Sequence, residues 1–282
     1  MIGWLSPLHV ASALYPATRW IGLTIALLLL ATIAGFRRRP AAIVAGTLAA
    51  LAIPAHVLAL TPAAPAGWTG LDMHMGKLDQ ADYAAMYDRS TRVQLAAQNA
   101  FDAGARVVVV PEEIIGMWRP STKFWWQGFV SNLRAHGQTL VLGVDLVVSD
   151  EPIRYSDSAV VAGAGLGRLT VASRSRQACG DRARPLAPCS VILRKVFCRI
   201  AQGFLSIDGR HAAVSICFED YLIWPHWRLL TERPNVLIGM SNGWFNSDLA
   251  VSQIQSQSVQ SIARLAGVPL VRTVNQQVPT KG

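Results

Sequence analysis

Hydrophobic residues form long uncharged runs in the first quarter of this chain. One run covers residues 20–36, and a second, which begins after Arg37-Arg38-Arg39, contains no Asp, Glu, Lys or Arg before Asp72. A helix that crosses a bilayer needs roughly 20 apolar residues, with about 17 as the lower limit. The pattern therefore predicts a membrane segment over residues 1–62, built as a transmembrane helical hairpin with spans at about 20–36 and 41–60.

Two other interpretations of these runs stay open. Ala63-Ala64-Pro65-Ala66 resembles a signal-peptide cleavage site, although the region before the first run lacks a basic cluster and the apolar length is too great. A buried helical hairpin in a soluble protein is the other alternative. In a membrane, the arginine triplet lies in the cytoplasm, because short cytoplasmic loops are rich in Lys and Arg. We then expect a bacterial inner-membrane protein whose remaining chain lies in the periplasm.

Beyond residue 71, short apolar runs alternate with amphipathic stretches, which is typical of an α/β domain. Strands are predicted over 107–110, 139–148, 159–162, 236–240 and 269–274, with a hairpin over 204–216 that turns at Asp208-Gly209. Helices are predicted over Ser90–Ala103 and from about Asp248 to Ala266. Residues 174–199 show no sustained period.

Composition and charge narrow the function classes. With 282 residues, of which 51% are hydrophobic and 15% charged, the chain can bury a sizeable core. The net charge of +9 comes from residues 1–71, with four basic residues and no acid, and from residues 174–199, with seven basic residues and Asp181. The remainder is nearly neutral, so no nucleic-acid partner is predicted. The four cysteines lack C-x-x-C spacing, so neither a zinc site nor a disulfide framework is predicted, and the oligomeric state stays open.

Two predicted strand ends carry reactive side chains. In VVVVPEE, Glu112 and Glu113 follow a proline that ends the strand, and in AVSICFEDY, Cys217 follows an apolar strand and precedes Glu219 and Asp220. Paired acids are also typical of a solvated turn, and a lone cysteine in a strand is often an inert core residue. The position of Cys217 at a strand end, beside acids, favours a nucleophile. We expect Glu112 to matter more than Glu113, because neighbouring strand residues point to opposite faces.

These motifs, with the run VLIGMSNGWF and the later PLVRTVN, resemble the carbon-nitrogen hydrolase (nitrilase) superfamily. Among membrane-anchored members, the order and spacing are similar to apolipoprotein N-acyltransferase and, more so, to the TraB-type conjugal transfer proteins of bacterial plasmids. The resemblance covers roughly Trp68 to Asn275. It implies a four-layer α-β-β-α nitrilase-like sandwich over residues 68–282, preceded by the membrane hairpin. Because chains of the family usually continue past PLVRTVN, whether Gly282 is a natural end stays open.

The resemblance also implies a Glu-Lys-Cys catalytic triad that uses neither metal nor cofactor. Glu112 matches the general base, Cys217 matches the nucleophile, and Glu219 matches a second acid that follows it. Asn242, in the SNGW motif, stands where the family lines its acyl pocket, although an Asn-Gly pair is also typical of a simple turn.

The lysine of the triad has no clear match. The family's lysine opens a segment after the strand that here ends near Ser173, where Arg174 or Arg176 stands instead, and the pKa of arginine is too high for proton transfer. We name Lys195 as the candidate. Because residues 174–199 lack a hydrophobic period, we hypothesise that they are read between two compensating frameshifts or have degenerated; an ordinary basic surface loop is the alternative. Translation of the other two reading frames of the coding DNA tests the hypothesis.

Three classes of function follow. Attack of a cysteine on an amide or ester carbonyl gives a thioester, which water resolves in an amidase and an amine resolves in an N-acyltransferase. The partners would then be an acyl or amide substrate and the lipid bilayer. A catalytically inactive nitrilase-fold accessory protein in conjugation is the alternative. The third class is a membrane-anchored binding module with an apolar surface formed by Met117, Trp118, Trp125 and Trp126, although such aromatics also occupy cores and membrane interfaces.

Overall fold

Helices and strands alternate along most of the chain. The computed structural model describes residues 7–34, 39–59, 62–150, 153–164, 170–173, 204–222, 224–244 and 249–278. The helices are α1 (Pro7–Leu14), α2 (Trp20–Ala34), α3 (Arg39–Ala50), α4 (Ala52–Leu58), α5 (Tyr83–Asp102), α6 (Pro120–Ala135), α7 (Trp224–Glu232) and α8 (Leu249–Ala266), with a 3-10 helix over Cys217–Tyr221. The strands are β1 (Trp68–Gly70), β2 (Val107–Val109), β3 (Thr139–Asp150), β4 (Ile153–Gly163), β5 (Thr170–Ser173), β6 (Phe204–Ile207), β7 (Arg210–Ile216), β8 (Val236–Asn242) and β9 (Leu270–Asn275). The predicted mixed α/β class is confirmed.

The described strands form two sheets. The first has the order β1-β2-β3-β4-β5. Strands β1, β2 and β3 run parallel, and β4 pairs antiparallel with both β3 and β5. The second has the order β6-β7-β8-β9, in which β7, β8 and β9 run parallel and β6 pairs antiparallel with β7. Each sheet therefore has a core of parallel strands whose carboxyl ends lie at one edge, the edge where α/β proteins place their ligand sites.

The sheets pack face to face, and helices cover their outer faces. The central core joins Val109 and Val161 of the first sheet to Ile216 and Ile238 of the second. The outer face of the first sheet packs on α5 and α6, and that of the second packs on α1, α7 and α8. Because side chains alternate between the two faces of a strand, strands buried on both faces are apolar at nearly every position. The layers of the described part follow the order helix, sheet, sheet, helix.

The sequence predicted most strands but fewer helices. The hairpin with its turn at Asp208-Gly209 is confirmed: both residues have positive φ, 48° and 71°, as a two-residue turn of this kind requires. The helix predicted from Ser90 begins earlier, at Tyr83, because the Asp82 carboxylate caps it by accepting the Ala85 N–H at 2.9 Å. Strand β1 and helices α6 and α7 were not predicted.

Helix α6 corrects the predicted apolar surface. Trp126 is fully buried and Trp118 is 5% exposed, and both belong to the core between α6 and the first sheet, with Trp125 packed against it. Helix α6, which the sequence did not predict, places Trp126 in the core and packs Trp125 against the Tyr83 and Tyr87 rings of α5. The prediction of a binding surface formed by these aromatics is therefore wrong.

The N-terminal helices pack on the outer helix layer of the second sheet. The Ala17 N–H donates to the Arg264 carbonyl at 2.8 Å, and the Arg19 guanidinium donates through Nε to the Ala266 carbonyl at 3.0 Å. Arg19 thus satisfies carbonyl groups at the C-terminal end of α8. Within the described residues, one stretch, Ala41–Leu58, is long and apolar enough to cross a membrane. Helix α2 is apolar but shorter, with 15 residues.

Candidate active site

The candidate site lies where the carboxyl ends of the parallel strands of both sheets meet. The segment after β1 joins the sheets there, because Met73 forms a parallel bridge with Asn275 and its N–H donates to the Val274 carbonyl at 2.8 Å. The Asn275 side chain then fixes the next residues: its Oδ1 accepts the Met75 N–H and its Nδ2 donates to the Gly76 carbonyl, both at 3.0 Å. The two strand edges are thereby held against each other.

Glu112 lies in the turn that follows β2, and only 2% of the residue is exposed. Gly143 of β3 lies directly against this turn: a Cβ atom at Gly143 would be 2.2 Å from the Pro111 carbonyl oxygen and 2.5 Å from the Glu112 Cα. Only glycine allows such a close approach of two backbones. The glycine of β3 therefore determines how deeply Glu112 sits.

Cys217 begins the 3-10 helix that follows β7. Its φ is +44°, a left-handed conformation that is uncommon for a residue other than glycine, and the residue is 8% exposed. The Glu219 carboxylate stabilises this turn from inside, since its Oε2 accepts the Ile216 N–H at 3.0 Å. The sharp change from strand to helix turns the Cys217 thiol away from the strand ladder.

The structure brings Glu112 and Cys217 together, so that the thiol hydrogen-bonds to the Glu112 carboxyl group. Burial raises the pKa of the Cys217 thiol well above its ordinary value, and the Glu112 and Asp220 charges raise it further, whereas a hydrogen bond from the Asn242 backbone lowers it. Among the described residues, the groups acting on this pKa include no cation. The resting thiol is therefore protonated at neutral pH, and its proton faces Glu112.

Asn242 connects this pair to an open cavity of about 510 Å³. It is 4% exposed, its Nδ2 donates to Glu113 Oε2 at 3.3 Å, and its Oδ1 accepts from Asn275 Nδ2 at 3.2 Å. Asn242 and Glu113 line the cavity, whereas Glu112 and Cys217 do not. The reactive pair thus lies behind the cavity wall, next to Asn242.

A buried arginine holds the loop on the other side of the cavity. The Arg89 guanidinium, 5% exposed, donates to the carbonyls of Met75, Gly76 and Lys77 at 2.5 to 3.0 Å. The loop carries Lys77 to the cavity, where its Nζ lies 5.4 Å from the centre of the Trp244 ring. The cavity lining therefore contains both basic and acidic residues.

Two further carboxyl groups lie beside Glu113. Glu113, Asp145 and Asp157 each offer an oxygen atom within 4.8 Å of the others, and Asp145 faces Asp157 across β3 and β4. Burial, the Glu113 charge and a hydrogen bond with Asp157 raise the pKa of Asp145 to about 9, against a hydrogen bond from Gln80 that lowers it. At neutral pH the cluster therefore holds a proton. It is the one group of carboxylates in the described part whose geometry could also hold a divalent cation.

The predicted site residues have different outcomes. Glu112 and Cys217 are in contact, and Asn242 lies beside both the thiol and the cavity. Glu219, expected to bind substrate, accepts the Ile216 N–H. Lys195 lies outside the described residues, as do Arg174, Arg176 and the whole stretch 174–199.

The sequence did not predict that Glu113 lines the cavity. The expectation that it points away from Glu112 assumed a strand, but β2 ends at Val109 and Glu113 has a φ of +52°, so strand alternation does not apply. Its side chain reaches the cavity and Asn242 as a result. Asp145 and Gln255 were not predicted as parts of the site, since each reaches it through contacts between elements distant in sequence. The Pro-Glu-Glu turn was the signal that could have identified Glu113.

Sequence comparison adds relatives of known name. No protein-family model matches the chain. It is 26% identical over 290 residues to "Conjugal transfer protein TraB" of Agrobacterium fabrum, an alignment that covers 97% of this chain. The chain resembles TraB conjugal transfer proteins. It is also 25% identical over 289 residues to "Probable conjugal transfer protein TraB" of Sinorhizobium fredii, again across 97% of the chain. The predicted resemblance is confirmed, and the chain spans 62% and 68% of the lengths of these two relatives.

Solved structures with a similar arrangement include members of the nitrilase superfamily. An amidase from Nesterenkonia sp. is 17% identical with a TM-score of 0.45. The alignment covers 74% of this chain and 75% of the amidase chain. A carbon-nitrogen hydrolase from Helicobacter pylori G27 is 13% identical with a TM-score of 0.48. The alignment covers 73% of this chain and 72% of the hydrolase chain. Identities and TM-scores this low do not transfer an activity to this chain, so the chemistry of the site is inferred from its own geometry.

Proposed function

We propose that this chain is a membrane-anchored, thiol-dependent enzyme of acyl transfer that serves plasmid conjugation. The observation that carries the proposal is the buried contact between the Glu112 carboxyl group and the Cys217 thiol, at a turn with positive φ. A thiol paired with a carboxylate base, at the meeting point of parallel strand ends, is an arrangement suited to nucleophilic catalysis. The role in conjugation is supported by the names of the two relatives.

In the first half of the reaction, the Cys217 sulfur attacks the carbonyl carbon of an amide or ester while its proton passes to Glu112. The tetrahedral oxyanion collapses, the bond to the leaving amine or alcohol breaks, and Glu112 returns the proton to that leaving group. A thioester between the acyl group and Cys217 remains. General-base assistance of this type is typically worth about 10²–10⁴-fold in rate.

In the second half, water or an amine attacks the thioester. Glu112 takes the proton from the attacking group, the carbon–sulfur bond breaks, and the proton returns to the Cys217 sulfur. Water gives a carboxylic acid, as in an amidase, and an amine gives a new amide, as in an N-acyltransferase. Asn242, beside the thiol and on the cavity wall, is the candidate residue for contact with the acyl group.

Lys195 is the proposed cation of the site. A buried thiol with acidic neighbours benefits from an ammonium group, because positive charge stabilises both the thiolate and the oxyanion. Lys195 is named for this role on the family resemblance alone.

The membrane anchor is the second part of the proposal. Ala41–Leu58 has a mean hydropathy of 2.0 with 6% of its residues buried, and Ile43, Ile53 and Val57 are at least 70% exposed. Such an apolar surface has no favourable contact in water. We propose that this stretch spans the bilayer together with residues 20–36, and that the arginine triplet between them keeps the sandwich in the periplasm.

Labelling of Cys217 by iodoacetamide tests the catalytic proposal. Trypsin cleaves after Arg210 and Arg228, which releases a peptide whose single cysteine is Cys217. In the full-length protein at pH 7, this peptide should be alkylated faster than an added cysteine-containing reference peptide, although Cys217 is only 8% exposed. Cys217→Ala removes the signal and serves as the control.

A catalytically inactive scaffold is the second candidate, and the acidic surroundings of the thiol favour it. Burial and two carboxylates all raise the pKa of Cys217, which suppresses the thiolate. In that case Cys217 should react more slowly than the reference peptide at every pH. This outcome would overturn the catalytic proposal and leave the role in conjugation.

Fusions after residue 70 test the orientation. Alkaline phosphatase, which is active in the periplasm, should be active when fused there, and green fluorescent protein should not fluoresce. Fluorescence without phosphatase activity would contradict the proposed topology.

A further inference from the structure

Behind Cys217 lies a buried set of polar side chains that the proposed chemistry does not use. The Asp220 carboxylate, fully buried in the 3-10 helix, accepts from the Ser215 hydroxyl at 2.6 Å, from Gln255 Nε2 at 3.1 Å and from the Ser241 hydroxyl at 3.5 Å. The Ser258 hydroxyl donates to the Asp220 carbonyl. Buried carboxylates are costly unless they are hydrogen-bonded in this way.

Gln255 joins this set directly to the nucleophile. Its Nε2 donates to the Cys217 carbonyl at 2.9 Å as well as to Asp220, and the residue is 4% exposed. A side-chain amide has two N–H groups, so one can point to each acceptor. The Asp220 carboxylate therefore determines the direction of the Gln255 amide, and the amide holds the Cys217 backbone.

Cys217 requires such a restraint. A non-glycine residue in the left-handed region is strained and persists only when its surroundings fix it. With a φ of +44°, the Cys217 carbonyl points out of the strand ladder and towards α8, where Gln255 receives it. A relaxed backbone at this position would swing the thiol away from Glu112.

Ser215, His226 and Asp220 do not form a second hydrolytic site, although they are residue types of a serine hydrolase triad. All three are at most 3% exposed, and the Ser215 hydroxyl donates to Asp220 at 2.6 Å, whereas His226 Nε2 lies farther from it, at 3.4 Å. His226 Nδ1 lies 2.5 Å from the Leu222 carbonyl, and burial lowers its pKa to about 4, so the ring is neutral. The set is structural and faces the backbone of the nucleophile.

We propose that Gln255, oriented by Asp220, is a positioning residue that keeps the Cys217 thiol within hydrogen-bond distance of Glu112. The inference rests on the proposed function of the Glu112 and Cys217 pair. It gives α8, whose sequence has no catalytic signature, a defined part in that site.

The pH profile of Cys217 alkylation by iodoacetamide tests this assignment in the full-length protein. With Glu112 as base, the wild-type rate should be flat around neutral pH. Gln255→Met keeps the volume but removes the donor, so the rate at pH 7 should fall by about 10²-fold and rise with pH as for an unassisted thiol. Gln257→Met changes an exposed glutamine of the same helix and should match the wild type.

Asp220→Asn provides the second variant, because it keeps the shape while removing one acceptor oxygen. It should shift the pH profile of Cys217 alkylation in the same direction by a smaller factor. If Gln255→Met does not fold, Asp220→Asn alone tests the positioning role. Its neighbours that also carry charge or titrate are Glu219, Arg272 and, across Ser215, His226. None of them is altered in either variant.

The outcomes separate the two proposals. A wild-type profile without a neutral plateau would overturn the catalytic proposal itself. A wild-type plateau that persists in folded Gln255→Met would overturn only the positioning role, as would a rate lowered equally at every pH.

Discussion

The turn after β2 and the turn after β7 each place a non-glycine residue at positive φ, 52° at Glu113 and 44° at Cys217, but different forces hold them. The turn after β2 is confined by shape: Gly143 meets its backbone, and the following Ile114 and Ile115 are fully buried. The turn after β7 is confined by two hydrogen bonds: the Ile216 N–H donates to the Glu219 carboxylate, and Gln255 donates to the Cys217 carbonyl. Glu112 is thus positioned by steric fit and Cys217 by a polar network.

This difference predicts which substitutions damage which half of the site. Added volume should displace the base, because close-packed backbones have no room to adjust. Lost hydrogen bonds should displace the nucleophile, because buried polar groups that lose a partner rearrange or destabilise the turn. The predictions below test the comparison in order of decreasing effect.

The largest effect is expected for Glu112→Gln. Without its base, alkylation of Cys217 at pH 7 should slow by about 10²–10⁴-fold, and its rate should rise with pH. Removal of the Glu112 charge also lowers the pKa of Cys217, which by itself would speed alkylation. The sign of the change therefore decides between the two effects, and a faster reaction would contradict general-base catalysis.

Glu113→Gln is the matched control for that experiment. Glu113 accepts from Asn242 rather than from the thiol, so its substitution should change the rate far less. An equal loss in both variants would show that the two acids act as one unit.

The steric half of the comparison predicts that Gly143→Ala is destabilising. The added methyl would overlap the Pro111 carbonyl, so the free energy of unfolding should fall by about 1–3 kcal/mol, as in other overpacked cores. Thermal unfolding measures the fall, and alkylation of Cys217 should slow as Glu112 moves. Gly128→Ala, in α6 with no atom within 4 Å, should instead be neutral or stabilising. Equal stabilities of the two variants would contradict the steric account.

The smallest effect on Cys217 alkylation is expected for the acidic cluster beside the first turn, which instead makes stability depend on pH. Because folding raises the pKa of Asp145 from 3.8 to about 9, the folded state binds a proton that the unfolded state lacks between these pH values. The contribution of Asp145 to stability should therefore be fully present below about pH 4 and fall as pH rises towards 9. In Asp145→Asn this fall should be smaller, as seen from unfolding temperatures at pH 5 and pH 8. Asp88→Asn, at an exposed position, should keep the wild-type fall, and an identical fall in both variants would contradict the assignment.

The sequence alone pointed to both halves of the candidate site. Runs of apolar β-branched residues predicted the strands before Pro111 and before Cys217, and a strand end is where side chains become available for chemistry. The hairpin at Asp208-Gly209 was equally predictable, because its conformation depends on two adjacent residues. The acids and the cysteine could thus be proposed as partners from their positions at strand ends and from the family resemblance.

Tertiary structure decided how those residues are held and what surrounds them. Gly143 lies 31 positions after Glu112, and Gln255 lies 38 positions after Cys217. No local pattern marks either one, since a glycine in a strand and a glutamine in a helix are ordinary residues until another element packs against them. Hydrophobic periodicity reports which face of an element is buried, but it does not report which element covers that face. Three features depend on which element covers a face: the orientation of Glu113, the proton held by Asp145 and the restraint on Cys217. They arise only when the two sheets and their helices pack.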